Sequence, residues 1–553
     1  MKSSTVSIIE KGFILPLFSL VLGISMPSIS YGLVDMRNAN YSETWIDLDI
    51  SGAGYNLKVQ RTYNSRSLFN GMFGFGWCSD FETSLDVTVD NTLKLTQCGD
   101  GFETVYMPAN GSVDPKDSVS KIITKLKSSN SRLTQNYLKN LSQKLMDDRR
   151  LRDKYSEELG LEGKTGKSLY LANGRGPDSI ELKDNHYIRK LPGGEIQEFD
   201  ATGRLTELKD ANDNYIKFSY NSEGLSSVTD NTGKKLTFSY YSNKKVKKIV
   251  GPNNTNVSYE FKNQNDLYMV KNAWGNAYKY AYDELHNLVD IQFPDKTNKK
   301  LSYDVNKDWV TSFTDRDGCR EEYKYELSKK DPKNHYWSTV LKKCKGKIVS
   351  RGHYEFWYKT NPKKGDVYLY RVLTKQNGNT NDVVYHPDFA KPISVTQNGK
   401  TVRYDYDSKT GLLSSRKEKG SLVKFEYDNT CKKVSKVRAG KLVTVFNYDQ
   451  DCNLSLAKNT KGQVVSLKYD RHGRIASLID QAKKRVNITY DERFSKPKRV
   501  ERPGIGTIEV QYKSSGEVDK VESPNGALVA KQVASSFNTL LEIVEPAGID
   551  LGI

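Results

Sequence analysis

Over most of the chain, apolar and polar residues alternate in short runs, and turn-forming residues separate the runs. In "YDRHGRIASLIDQAKKRVNITY" the stretches Arg474–Ile479 and Arg485–Tyr490 read as strands. Arg471–Gly473 and Asp480–Lys484 read as turns. The unit then starts again. Its aromatic recurs at Tyr406, Tyr427, Tyr448, Tyr469, Tyr490 and Tyr512, and the first five are followed by Asp407, Asp428, Asp449, Asp470 and Asp491. A step of 21 residues holds two strands of about seven residues and two short turns. Asp after Tyr suits the opening of a turn, where its carboxylate can accept from backbone N–H groups two residues on. Gly473 supplies a positive φ.

A looser array precedes this one, at Phe199, Tyr220, Tyr240, Tyr259, Tyr282, Tyr303 and Tyr325. "YHPDFAKPISV" from Tyr385 and "YDERFSKPKRV" from Tyr490 match each other internally. Near the C-terminus "ALVAKQVASSFNTLLEIV" (527–544) has helical spacing. However, Pro503, Pro524 and Pro546 keep the repeat step, so strands are expected there.

Two segments break the pattern. Lys121–Tyr155 has helically spaced Leu, Ile and Tyr and no Gly or Pro, which predicts an inserted helical hairpin. It is either a lid packed on the sheet or a prong for a partner. Glu326–Val384 predicts longer hairpins.

The first 30 residues stand apart. Lys2 and Lys11 precede the apolar run Phe13–Met26 and a small-x-small site, so a secretory signal cut after Ser30 is expected. In an exported chain, six Cys suggest disulfides. Folding about "DPKN" puts Cys319 opposite Cys344. Cys78 and Cys98 flank a hairpin. Cys431 and Cys452 sit at equivalent turn positions, about 9.6 Å apart for a two-strand offset. A bond between them requires the turns to lean together. The net charge of +18 is spread along the chain. It reads mainly as a solvated sheet face, with acidic polymers as possible partners.

"YDRHGRIASLID", "FDATGRLTELKDANDNYIKFSY" and the period resemble RHS/YD repeats. "IDLDISGAGYNLKVQRTYNSRSLFNGMFGFGWCSDFE" resembles the domain that opens many such proteins. The resemblance implies a mainly β fold: an extended, spiralling antiparallel sheet of YD hairpins, open or partly closed, with one inserted helical segment. It implies Arg61 and Trp77 as packing and plug residues. The expected order is signal 1–30, N-terminal β domain 31–112, helical insertion 113–168, first array 169–325, longer hairpins 326–384 and second array 385–553. Large relatives close into shells around a toxic C-terminal segment, and others serve cell-surface contact. No core block, autocleavage element or toxin segment is expected after the repeats.

Catalytic motifs are lacking. His186, His286, His335, His353, His386 and His472 do not fall at metal-ligand spacing, and no nucleophile elbow or phosphate loop appears. "DRDGC" and "DANDN" read as turns rather than calcium loops. No catalytic, cofactor or metal residues are therefore expected. Recurrence makes the Tyr-Asp pairs structural. The leading expectation is an exported, non-enzymatic protein binding glycan or another protein, secreted, periplasmic or on the cell surface. Self-association is allowed, no specific nucleic acid is expected, and membrane contact is limited to the signal during export. The alternatives are a shell that encloses a polypeptide from another chain and, lower, a polysaccharide hydrolase.

Overall fold

A computed structural model describes residues 32–544, except 53, 99–101, 110–112, 131, 166–168, 173–176, 362–366 and 514–515. The apolar run Phe13–Met26, the expected cut after Ser30 and Pro546 lie outside the described residues. From Ser84–Val87 to Val518–Glu522, 36 strands pair in chain order into one antiparallel sheet. Among the described residues no pairing joins the last strand to the first, so the sheet is not closed edge to edge.

The strands follow from the alternation. In Lys235–Tyr240, Leu236 and Phe238 face inward while Lys235, Thr237 and Ser239 stay exposed. A β-bulge recurs at the repeat aromatic, for example between Ser239 and Tyr240, Ala281 and Tyr282, Lys468 and Tyr469, and Thr489 and Tyr490. A bulge increases local twist and re-aims a side chain, so a bulge in nearly every repeat, Tyr325 being without one, coils the sheet. The bulge near residue 260 falls between Glu260 and Phe261. Phe261, not Tyr259, is therefore the repeat aromatic, and Tyr240, Phe261, Tyr282 and Tyr303 are evenly spaced. Tyr259 points to the core instead and is almost fully buried. The 326–384 segment keeps the same mark, with a bulge at Tyr358, and the next falls at Tyr385, just past its end. It consists of lengthened repeats, with Lys347–Thr360 reaching 14 residues.

The sheet winds over itself. Asn212 and Asn453 exchange amide hydrogen bonds of 3.1 and 2.6 Å. Asn214 Nδ2 donates to His472 O at 3.0 Å, and Lys234 Nζ donates to Arg493 O at 3.0 Å. Turns at one end of the first coil thus meet turns at the opposite end of the second.

A separate four-stranded sheet of Leu33–Asp35, Asn40–Ile50, Leu57–Asn64 and Trp77–Cys78 fills the first coil. Trp45 packs against Tyr278, Tyr280 and Phe293 of the main sheet, Trp77 against Tyr280, and Tyr63 against Trp77. Arg61 is fully buried. It donates to both oxygens of Asp47 at 2.7 and 3.2 Å and to Tyr280 Oη at 2.7 Å. Its guanidinium lies 4.3 Å from the Trp77 ring centroid.

The predicted helical hairpin is three helices: α1 (Lys116–Ser129), α2 (Gln135–Asp147) and α3 (Arg149–Leu159). Thr134 and Asp148 cap the second and third, which is why the run breaks there. Val119, Ile122, Leu141 and Leu145 close over Val89 at a hairpin tip of the main sheet. The buried Arg152–Asp90 ion pair pins the unit to that tip.

The expected C-terminal strands are replaced by a helix, α4 (Ala527–Val544). Pro503 and Pro524 both follow strands, in turns. The proline period therefore marks a turn and does not demand a further strand. With that constraint gone, the helical spacing prevails and seats Ala530, Val533 and Ala534 on the sheet.

Candidate functional site

The Tyr-Asp pairs are framework. The hydroxyls of Tyr406, Tyr427, Tyr448, Tyr469 and Tyr490 donate to the carbonyls of Pro392, Leu413, Val434, Leu454 and Ile475 at 2.6 to 3.0 Å. Each bond ties one hairpin to the preceding one. The carboxylates of Asp407, Asp428, Asp449, Asp470 and Asp491 accept backbone N–H groups two to four residues on. Burial pushes Tyr406 and Tyr448 up to about 12, and Tyr469 and Tyr490 move the same way. Hydrogen bonds from Thr410 hold Asp407 below its ordinary value, and Arg493 does the same for Asp491. In the Tyr406–Asp407 and Tyr490–Asp491 pairs both partners are thus moved away from acid–base work at neutral pH.

The cysteines are joined as Cys78–Cys98, Cys319–Cys344 and Cys431–Cys452. The first links the inner sheet to the start of the main sheet. In the third the two turns lean together, with Cα atoms 5.4 Å apart. Lys433 Nζ reaches Cys452 O, and Gly193 N of the first coil donates to Cys431 O at 3.1 Å.

Two surfaces remain as candidate sites. The first is concave. Cross-strand partners Phe425–Val437, Phe446–Ala457, Leu467–Leu478, Ile488–Val500 and Val510–Val521 form a buried apolar stripe inside the second coil. α4 lies on this stripe, and Val533 is fully buried against it. Toward the first coil the same face becomes half-exposed and mixed in polarity, with Thr374, Asn381, Gln397 and Arg416.

The second is convex. Tyr336 Oη and Ser338 Oγ donate inward to the carbonyls of Arg37 and Met36, so His335 and Trp337 face out. There His335 stacks on Trp357 at 4.9 Å, and Arg371 lies 4.8 Å from the same ring. His335 Nε2 lies 2.7 Å from Glu355 Oε1, and Trp337 Nε1 donates to Glu326 at 2.9 Å. Arg371 makes paired 2.7 Å bonds to Asp382. The sequence did carry this signal, since His335/Trp337 and His353/Glu355/Trp357 alternate along two adjacent strands. Without the pairing register, nothing placed them side by side. Among the described residues, no group of three His, Cys, Asp or Glu is arranged to hold a metal.

The teneurin YD-shell family matches the chain over residues 187–360 and 396–549. Residues 32–106, which include the inner sheet, match a domain of unknown function, DUF6531. No curated protein matches. Among solved structures, TcdB2-TccC3-Cdc42 aligns at 10% identity and TM-score 0.38, covering 87% of this chain and 29% of that one. TcdB2-TccC3 without its hypervariable C-terminal region aligns at 11% identity and TM-score 0.36, covering 91% and 30%. The Tc holotoxin pore of Photorhabdus luminescens aligns at 9% identity and TM-score 0.29, covering 87% and 30%. The chain spans under a third of the length of these solved chains.

Proposed function

The chain belongs to the teneurin YD-shell family, and from that premise we propose that it is a binding scaffold whose concave face holds a polypeptide segment. The observation that carries this reading is the apolar stripe inside the second coil with α4 lying along it. A sheet face that is apolar over so many strands needs a cover, and a helix with apolar residues every three or four positions provides one. The seat is non-covalent. It follows that the occupant can be this chain's own helix or a competing helix from a partner.

The test is a protease site placed in the exposed Pro524–Gly526 turn. After cleavage, the freed helix should stay with the shell through gel filtration, and Val533→Asp should release it, because the new charge would be buried without a partner. If the wild-type helix leaves as soon as the turn is cut, the seat does not bind.

The convex cluster favours a second reading, oligosaccharide binding. Trp337 offers an aromatic ring, Trp357 is held between His335 and Arg371, and the carboxylates of Glu355 and Asp382 beside them can accept from sugar hydroxyls. A glycan array read with wild type and with Trp337→Ala/Trp357→Ala decides it. Loss of a specific signal in the variant supports the reading, and no signal from wild type ends it. We place the protein in an oxidising, exported compartment, which three disulfides favour. No helix among the described residues is long and apolar enough to cross a membrane.

A further inference from the structure

The outer end of the first coil carries a feature that neither binding surface uses. Loops of the inner sheet close this end. Arg66 Nη1 donates to Asn38 O at 2.8 Å, and Phe75 N donates to Asn265 O at 3.0 Å. Lys245 Nζ holds the carbonyls of Asn70 and Gly71 at 3.1 and 2.7 Å. Around these loops stand the hairpin tips of successive repeats. Adjacent tips touch: Asn243 Nδ2 donates to Gln264 O at 2.7 Å, and Asn287 Nδ2 to Asp308 Oδ1 at 3.2 Å.

This closed end has large apolar side chains pointing into solvent. Leu68 on the central loop is 83% exposed. On the surrounding tips Val305 is 76% exposed, Leu327 56% and Leu285 51%. Exposed Arg66, Lys244, Lys262, Lys307, Lys329 and Lys330 stand among them, against exposed Glu223, Glu284, Asp308 and Asp331. Apolar residues at the tips of tight turns do nothing for the fold. A protein interface would gather such residues into one contiguous patch depleted of Lys. Here they are single side chains; those on the tips stand about one repeat apart, roughly 9.6 Å, and Leu68, Val305 and Leu327 each have a cation two residues away in the chain, Arg66, Lys307 and Lys329. That arrangement suits a surface with anionic headgroups outside and hydrocarbon just beneath, since isolated side chains can enter while Lys and Arg stay at headgroup level.

We propose that the closed end of the first coil docks on an anionic phospholipid surface, with Leu68, Leu285, Val305 and Leu327 entering the headgroup layer and the surrounding Lys and Arg pairing with phosphates. Docked this way, the spiral stands on the membrane with its second coil outward.

The test is vesicle co-sedimentation, run with the full chain and with the chain from Tyr31 onward, so that the N-terminal apolar run contributes equally within each comparison. Vesicles of phosphatidylcholine alone are compared with vesicles holding about 30% phosphatidylglycerol. Wild type from Tyr31 should bind the anionic vesicles, and the binding should weaken with salt. Serine at Leu68, Leu285, Val305 and Leu327 together should lower the apparent affinity by roughly ten-fold or more. These positions are exposed, so the melting temperature should not move. Lys244→Glu/Lys262→Glu/Lys307→Glu should abolish binding, while Lys424→Glu/Lys441→Glu/Lys461→Glu on the second coil should not. Failure of the Tyr31 chain to bind anionic vesicles, equal binding by the serine variant, or equal loss in the second-coil control would each overturn the proposal. So would loss of a protein partner, rather than of vesicles, in the serine variant.

Discussion

Replacing Arg61 by Met should loosen the inner sheet far more than the lost volume suggests. The side chain is 0% exposed and pairs with an Asp47 side chain that is itself 2% exposed. Burial opposes the charge on Arg61, but Asp47 outweighs it and holds the guanidinium above its ordinary range. After Arg61→Met, Asp47 stays buried with a 3.0 Å bond from Tyr259 Oη and no cation. Breaking a buried pair from one side costs about 3–5 kcal/mol. Removing both charges with Arg61→Met/Asp47→Leu should recover most of that, because no unpaired ion remains. Hydrogen exchange is the suitable assay, since it reads the strands Asn40–Ile50 and Leu57–Asn64 directly and does not need the whole chain to unfold in one step. Protection there should fall by about two to four orders of magnitude in the single variant, the kinetic image of that cost, and much less in the double variant. A single variant within tenfold of wild type, or a double variant as loose as the single, would refute the reasoning.

Three further outcomes are expected. Cys431→Ser/Cys452→Ser opens a loop with a sequence separation of 21 residues. It should cost about 3 kcal/mol in urea unfolding and speed proteolysis near Gly193, whose N–H rests on Cys431 O; unchanged cleavage there would argue against the bond holding the coils together. Tyr469→Phe removes the 2.9 Å bond to Leu454 O and should cost about 1 kcal/mol, with Tyr427→Phe adding independently; a loss well under this would mean that the hydroxyl ties are dispensable. Glu82 accepts from Met72 N and Ser79 N, yet burial pushes it up to about 7 from an ordinary 4.5. For a raised acid the folded state favours the neutral form, so the stability it contributes is complete below pH 4.5 and is lost as pH rises through about 7. Its carboxyl carbon resonance should titrate near 7, and a midpoint near 4.5 would show that the two N–H donors win over burial.

The strand order was legible because each strand pairs with its chain neighbour, and period and turn chemistry specify that pairing locally. Tyr469, Asp470 and Gly473 announce one hairpin, and recurrence announces the array. The bulge was not legible. It is a register event, and without it Tyr259 took the place in the array that belongs to Phe261. The third disulfide was open for a related reason. A flat two-strand offset separates Cys431 from Cys452, and only the lean of the turns brings them to 5.4 Å. α4 was misjudged because Pro503 and Pro524 share a turn position, which was mistaken for a shared strand. The convex cluster needed the lateral register of Trp337 against Glu355 and of Trp357 against Arg371.

The size of what the scaffold can hold follows from the seam. Asn212 lies in the turn before strand Tyr215–Tyr220, and its partner Asn453 in the turn before Leu454–Asn459. Those strands are 21 steps apart in the sheet order. The number is odd, as it must be for turns at one end to meet turns at the other. At about 4.8 Å per strand the coil is about 100 Å around and about 32 Å across its backbone. An inward side-chain layer of about 5 Å on each side leaves about 22 Å. A small sheet fits there, and the four strands of the inner sheet occupy the first coil. A helix of about 10–12 Å diameter fits as well, and α4 lies in the second. A folded domain of 100 residues, with a radius of gyration of about 13 Å, does not. One coil of this circumference therefore holds single elements. Enclosing a whole folded partner would require a wider coil than the seam at Asn212 and Asn453 permits.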